Sequence, residues 1–365
     1  MKICFCIDTM ESGGAERVAS ILCNEFASLG HYVELIMVSE ERYESFYELN
    51  KKIKLIPLLS CFSKSKIFFF DKISALKKRF NSCNYDVVIS FLPNVNYFVC
   101  RALKGNKKIV HIVSERNNPY LDPKNKIRRL LKEWAFKRAD GVVFQTEDAK
   151  LYFKNKIRNE TIIIKNPVIP VVKEIDILGK TNNTVLSVGR LEKQKNYELL
   201  IKAFYKFNCM HNHTSLKIYG DGSLKNKIMK MIKRYNLEKK VFLCGKSNNW
   251  ITENANCLMF INSSLYEGMP NSLLEALVNG MPCIASDCPI GGSKELLSYD
   301  NGLLFENNNI NDLIEKMEEI FKNKEKCNLF KMANLKIREM YSPKTIATLW
   351  IDFFTKVIAK RKIHD

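Results

Sequence analysis

The chain has 365 residues, 46% of them hydrophobic and 27% charged, which is enough apolar material for two ordinary cores and excludes a disordered polymer. Its net charge of +19 attracts anions such as nucleic acid, lipid headgroups or phosphorylated small molecules, although a Lys-rich composition accounts for the charge equally well. Twelve Cys without a C-x-x-C spacing, and five His of which only His211 and His213 fall close together, exclude a disulfide framework and a zinc cluster as first readings and fit a reducing compartment.

The segment Met1 to Asp8 alternates apolar residues and then turns polar, so it has no hydrophobic region of the signal-peptide kind. No apolar run approaches the ~18 residues of a membrane-spanning helix. A cytoplasmic protein is therefore expected.

Lys2–Ile7 reads as a buried strand. A glycine turn, Gly13-Gly14, follows it. An amphipathic run then places Val18, Ile21, Leu22 and Phe26 on one face as far as Gly30, and 32–38 is the next strand. This is a βαβ unit. Further strands are predicted at 86–90, 108–113, 141–144 and 161–164, with helical patterns between them. A polar stretch at 173–183 reads as a linker. A second series of strands follows at 184–189, 216–219, 241–244, 257–261 and 282–285, and the chain closes on a helix from about Pro343 to Ile363. Alternating strands and helices predict two parallel sheets, each covered on both faces. Two such sheets joined by a linker leave a cleft, and ligands of open α/β sheets bind outside the carboxyl ends of the strands.

Four candidate sites lie in such loops. Glu267-Gly268-Met269-Pro270-Asn271-Ser272 leads into a helix that carries Glu275. Pro270 suits the first helical position and Gly280 the helix end. Free N–H groups at that helix start favour a phosphate or developing anion, Gly268 permits close backbone approach, and the two carboxylates accept hydroxyl hydrogen bonds. Gly189-Arg190 to Lys195 offers a forked donor and a compact ammonium that suit a leaving diphosphate. Gly14 follows the first strand in a turn that is neither a G-x-G-x-x-G nor a Walker sequence. Ser114-Glu115-Arg116-Asn117 ends the strand at 108–113, where Glu115 and Arg116 supply an acid and a base or simply pair with each other. No Asp-x-Asp occurs, so the hard oxygen ligands of a Mg²⁺ or Mn²⁺ site are not evident and no metal cofactor is expected.

These motifs resemble the GT-B retaining glycosyltransferases of family GT4, which include bacterial polysaccharide and lipopolysaccharide transferases. Glu267 to Glu275 matches the family's E-x7-E motif, and Gly189-Arg190-Leu191 with Lys195-Asn196 matches its diphosphate motif. Gly220-Asp221-Gly222, Gly280-Met281-Pro282 and Gly291-Gly292 through Glu295 follow in family order. The resemblance covers nearly the whole chain. It implies two Rossmann-like, doubly wound domains facing a cleft: 1–172 for the acceptor, 184–342 for the nucleotide-sugar, and 343–365 as a helix crossing back to the first domain.

The resemblance also implies residue roles. Arg190 and Lys195 would bind the donor diphosphate and Glu275 the ribose hydroxyls. Glu267, with the amides near Gly268 to Asn271, would hold the donor sugar, and Met269, Pro270 and Ser272 belong with them to the donor site that Gly14 and Gly189 line. On the acceptor side, Glu115, Arg116 and Asn117 are expected. Many members carry His where this chain has Arg116. Arginine stays charged and accepts no proton, so Arg116 is read as positioning substrate or stabilising charge. The implied reaction moves a hexose or N-acetylhexosamine from a UDP-linked donor to a lipid-linked or lipopolysaccharide-type acceptor, without metal and with retention.

Basic and aromatic residues at 64–79 and the basic run at 124–138 are expected to dock peripherally on the anionic inner face of the cytoplasmic membrane. Three other readings are a sugar-nucleotide epimerase of the same fold, a nucleic-acid-binding protein, and an inactive nucleotide-sugar-binding module. The ordered motifs weigh against the first and last, and no helix-turn-helix, zinc-finger or RNP pattern supports the second.

Overall fold

A computed structural model describes residues 1–61, 69–172 and 181–364. The chain divides into two compact units: Met1–Pro167 with Tyr341–Asp365, and Val168–Met340. The expected linker at 173–183 lies mostly outside the described residues, as do residues 64–68 of the basic-aromatic stretch. Val168 to Val172 group with the second unit. Asn279, fully buried there, accepts hydrogen bonds from the amides of Val171 and Val172 at 2.8 and 2.9 Å, and Arg338 donates to the Val172 carbonyl.

The first unit contains a seven-stranded parallel sheet: β1 (Lys2–Ile7), β2 (Tyr32–Met37), β3 (Lys54–Pro57), β4 (Val87–Phe91), β5 (Val110–Ser114), β6 (Gly141–Phe144) and β7 (Glu160–Ile163). The spatial order is β3-β2-β1-β4-β5-β6-β7. The central strands β1, β4 and β5 are buried nearly throughout, as parallel strands covered on both faces must be. Helix α1 (Gly14–Ser28) buries Val18, Ile21, Leu22 and Phe26, the face read from the sequence. The remaining helices here are α2 (Phe69–Ser82), α3 (Pro93–Ala102), α4 (Lys126–Arg138) and α5 (Glu147–Phe153).

The second unit contains a six-stranded parallel sheet: β8 (Thr184–Val188), β9 (Ser215–Tyr219), β10 (Val241–Gly245), β11 (Met259–Asn262), β12 (Cys283–Asp287) and β13 (Leu303–Glu306), in the order β10-β9-β8-β11-β12-β13. Its helices include α6 (Tyr197–Met210), α7 (Lys225–Arg234), α8 (Asn271–Val278), α9 (Gly292–Leu296), α10 (Ile310–Lys322) and α11 (Lys324–Lys336). The last helix, α12 (Pro343–His364), belongs to the first unit. It buries Trp350, Phe353, Phe354 and Val357 in the same cluster as Phe26 of α1 and Phe91 of β4. Its Arg361 donates to the carbonyls of Ile109 and Asn106 and pairs with Asp140.

Each sheet changes its direction of growth once, between β1 and β4 in the first unit and between β8 and β11 in the second. At such a reversal the helices leave toward opposite faces, and the loops after the two central strands part to leave a crevice. The polar groups considered next lie in the loops after β8 and β11 of the second unit and after β1, β5, β6 and β7 of the first.

Candidate active site

In the second unit, the loops after β8 and β11 are laced together. The Leu265 amide donates to the Gln194 carbonyl at 2.8 Å, the Gln194 side chain donates to the Tyr266 carbonyl at 2.9 Å, and the Ser263 hydroxyl donates to the Lys195 carbonyl at 2.8 Å. This lacing brings Lys195 Nζ to 2.5 Å from Glu267 Oε1. Ser264 Oγ donates to the same oxygen at 2.7 Å, and Gln194 Nε2 lies 3.3 Å from Oε2. The Glu267 carboxylate is thus largely removed from water but supplied with one cation and two neutral donors, as a buried charge requires.

Arg190 stands out from this network. Gly189 N donates to the Tyr219 carbonyl and Leu191 N to the Asp221 carbonyl, each at 2.9 Å, so the backbone on both sides of Arg190 is fixed to the loop after β9. Gly220 is required for this approach. It has φ +138, and a β-carbon there would lie 2.0 Å from the Gly189 oxygen. The Arg190 side chain is exposed and makes no hydrogen bond or ion pair among the described residues. A fixed backbone that displays an unspent guanidinium suits an anionic ligand.

Helix α8 begins at Asn271. Pro270, expected inside the helix, is instead its N-cap residue with ψ 104, one residue earlier, because its extended backbone stops the helical turn. The N-cap proline has no side-chain group to cap this end, and a helix start is a place that favours an anion. Ser272 Oγ donates to the Val188 carbonyl at 3.1 Å and docks the helix start against the end of β8. Gly268 and Met269 are buried in the preceding turn, and Glu275 is buried in the second turn of the helix. Asn279 closes the helix, its side chain donating to the Glu275 carbonyl at 2.8 Å, and Gly280 follows with φ +75. The structure therefore brings Lys195 beside Glu267 and Ser272 against the end of β8, at the point where the second sheet reverses, with Gly189 against the Lys195 side chain and Arg190 in the same loop.

The remaining predicted residues belong to the first unit. Gly14 is the exposed first residue of α1. Glu115 and Arg116 do not satisfy each other. Glu115 is buried and its Oε2 pairs with Lys132 Nζ at 2.7 Å, with side-chain exposures of 3% and 1%. Its Oε1 accepts the amides of Arg116 and Asn117 at 3.1 and 3.2 Å. Burial raises the Glu115 carboxyl above its usual range, while the Lys132 ammonium opposes that shift. Glu115 therefore shapes the loop from inside. Asn117 is also partly spent on the loop, its Oδ1 accepting the Asn118 amide.

Arg116 lies 4.4 Å from the centre of the Phe91 ring and donates to Asn166 Oδ1 at 2.6 Å. Gln145 donates to the same oxygen. Burial lowers the guanidinium to about 9, so it stays charged at neutral pH. Lys165 donates to the Gln145 carbonyl at 3.1 Å, and its burial lowers the ammonium to about 8.

Lys132, Ser264, Gln194 and the Gln145–Asn166 pair are not among the candidate site residues that the sequence motifs give. Gln145, Ser264 and Asn166 each follow an apolar strand at its carboxyl end, and that polarity change is the signal that marks them. Lys132 was read as part of a basic surface; it is instead fully buried beside Glu115. His211 is likewise accounted for, with Nε2 lying 2.7 Å from Glu318 Oε1. Among the described residues, no group of three or more His, Cys, Asp and Glu side chains is placed to hold a metal ion.

Two all-parallel α/β units with crossed-back α12 constitute the GT-B fold, and the class of protein is glycosyltransferase. The family model of glycosyl transferases group 1 matches residues 172–336, and that of glycosyltransferase family 4 matches residues 12–170. An uncharacterized glycosyltransferase of Methanocaldococcus jannaschii is 30% identical over 69% of this chain and 70% of its own length. The chain belongs to this glycosyltransferase family.

Another relative is the Campylobacter jejuni N-acetylgalactosamine-N,N'-diacetylbacillosaminyl-diphospho-undecaprenol 4-alpha-N-acetylgalactosaminyltransferase, 29% identical over 89% of this chain and 94% of its own. Among solved structures, sucrose-phosphate synthase from Thermosynechococcus elongatus superimposes with a TM-score of 0.83 at 16% identity, over 98% of this chain and 99% of its own. A Staphylococcus aureus TarM variant in complex with fondaparinux, alpha-GlcNAc-glycerol and UDP superimposes with a TM-score of 0.78 at 18% identity, over 97% of this chain and 100% of its own.

Proposed function

We propose that this glycosyltransferase moves a hexose or N-acetylhexosamine from a UDP-linked donor to a lipid-linked glycan in surface-polysaccharide synthesis, with retention and without a metal ion. The single observation that carries the reading is the Lys195–Glu267 contact at the reversal of the second sheet, in the loop that also bears exposed Arg190. A cation, a forked donor and a helix start answer a diphosphate, while carboxylates answer sugar hydroxyls. The acceptor class is supported by the Campylobacter relative, whose name specifies a diphospho-undecaprenol-linked glycan. The UDP donor is supported by TarM bound to UDP, a structure similar in fold.

In this reading Arg190 and Lys195 bind the diphosphate, Glu275 the ribose, and Glu267 with the Gly268–Ser272 backbone the donor sugar. The acceptor hydroxyl attacks the anomeric carbon on the face from which the diphosphate departs, and the leaving oxygen takes the acceptor's proton. Positioning and stabilisation of the departing charge do the catalytic work. Charge compensation by Arg190, Lys195 and the α8 amides supports metal independence. Exposed Phe69, Phe70, Lys77 and Lys78 of α2, together with exposed Lys124, Lys126, Ile127, Arg128 and Leu130 beside and within α4, support peripheral binding to an anionic bilayer from the cytoplasmic side. No helix of the described residues is long and apolar enough to cross a membrane.

Thermal unfolding in the presence of individual nucleotide-sugars, with and without EDTA, tests the donor. A UDP-sugar is expected to raise the melting temperature equally in both conditions, and NMR of the transfer product is expected to reveal the donor's anomeric configuration retained. Interconversion of the donor sugar without acceptor, or inversion in the product, overturns the proposal.

A further inference from the structure

The reversal of the first sheet, between β1 and β4, holds a cavity of about 180 Å³. Asp8 immediately follows β1, and Pro93 and Asn94 open α3 just after β4. Asp122, Pro123 and Arg128, from the turn before α4 and its first residues, complete the lining. The place is the one at which an open parallel sheet receives a ligand. We propose that this pocket binds a neutral pyranose, the terminal sugar of the acceptor glycan. The inference rests on the transfer reaction proposed above and adds the residues that select its acceptor.

Three observations carry it. First, the polar groups on the walls are unspent. The side chains of Asn94, Asp122 and Arg128 make no hydrogen bond or ion pair among the described residues. Asp8 uses one oxygen, which accepts from Ser39 Oγ at 2.5 Å, and that hydroxyl in turn accepts from Lys72.

Second, the wall bearing Asp122 is held rigidly from behind. Lys132 Nζ donates to the Asp122 carbonyl at 2.6 Å and pairs with Glu115 at 2.7 Å, and the Asp122 amide donates to the Asn118 carbonyl at 2.8 Å. One buried ammonium thus fixes both the loop that carries Arg116 and the backbone of the pocket wall, so only the Asp122 side chain itself is left to order on binding.

Third, the chemistry of the lining is mixed in the way a sugar is mixed. Pro93 and Pro123 offer apolar surface to a ring face, while two carboxylates and an amide offer partners to hydroxyl groups. Among the lining residues two carboxylates face one guanidinium, and the Lys72 ammonium reaches Asp8 only through Ser39, so the Asp122 side of the pocket disfavours a uronic acid and favours an uncharged sugar.

Saturation-transfer NMR with N-acetylglucosamine, galactose and glucuronate as probes reads the site without turnover. The intact protein is expected to bind the neutral sugars in preference to glucuronate, and Asp122→Asn and Asn94→Ala are each expected to weaken that binding about tenfold. Kinetics with a glycosylated lipid diphosphate are expected to give a similar rise in acceptor KM with donor KM within about twofold of the parent. Melting temperatures of the two variants establish that both fold, and Asn94 lies outside the Lys132 network, so its result stands independently. Equal binding of glucuronate, or neutral-sugar binding unchanged in both variants, overturns the pocket assignment. Neutral-sugar binding that is lost in the variants of a protein that transfers nothing overturns the proposed reaction and leaves the pocket standing.

Discussion

Lys195 carries its ammonium to within 2.5 Å of the Glu267 carboxylate across 72 residues of sequence. Two loops from neighbouring strands meet at that contact, and each arrives with its own support: Gln194 and Ser263 for the loop of Lys195, Ser264 for the carboxylate. The pair therefore has two separable consequences, one for stability and one for chemistry.

Lys195→Ala leaves the Glu267 carboxylate largely buried without its cation. The expected result is a loss of about 1–3 kcal/mol in urea unfolding and a fall in transfer of ~10²-fold. Adding Glu267→Gln to Lys195→Ala is expected to restore much of the stability, because the uncompensated charge is gone, and none of the activity. A double-mutant cycle of unfolding free energies and kcat checks both halves. A double variant as unstable as Lys195→Ala alone contradicts the pairing.

Gly292 predicts a different kind of failure. A β-carbon at that position would lie 1.8 Å from the Gly268 oxygen and 3.1 Å from Met269 Cα, so backbone must move. The displaced turn is the one that links Glu267 to helix α8. Gly292→Ala is expected to cost about 1–3 kcal/mol and to weaken UDP binding by an order of magnitude or more, because the donor-side turn no longer holds its place. Calorimetry with UDP beside urea unfolding checks it. Native UDP affinity in Gly292→Ala would show that the turn adapts without consequence.

These residues differ in how far the sequence announces them. The central strands were legible because parallel strands buried on both faces read as unbroken apolar runs, as in Val87–Phe91 and Met259–Asn262. Strands β3 and β13 were not read. Both are four-residue edge strands, and their short half-exposed runs resemble loop sequence. The helix bearing Glu275 was legible from Gly268, Pro270 and Gly280, although its start was placed one residue early. The place of the loop that bears Arg190 and Lys195 is legible from the apolar strand before it.

The partners of Glu115 were not legible. An adjacent Arg116 is the obvious cation, yet the ion pair is made by Lys132, because the helical phase of α4 turns that one lysine inward while Lys126 and Arg128 stay exposed. A run of like charges hides such a residue, since composition gives no sign of which side chain faces the core.

His111 supplies a pH-dependent prediction. It lies on β5, fully buried, with Nε2 2.8 Å from Ser90 Oγ. Burial lowers its imidazole from 6.5 to about 3, because a charged ring there would lose its hydration. The unfolded chain therefore binds a proton at a higher pH than the folded one. The stabilisation from a neutral His111 is complete above about pH 6.5 and declines as pH falls from there toward about 3. Between pH 7.5 and 5.0 the loss attributable to this residue is expected to reach about 2 kcal/mol at most. Urea unfolding at the two pH values, compared between the parent and His111→Asn, isolates it from the carboxylates that titrate lower. The variant is expected to start less stable, because Ser90 loses its partner, and to lose less on acidification. Equal losses in parent and variant would mean that His111 titrates alike in the folded and unfolded chain, and that its burial against Ser90 carries no protonation cost.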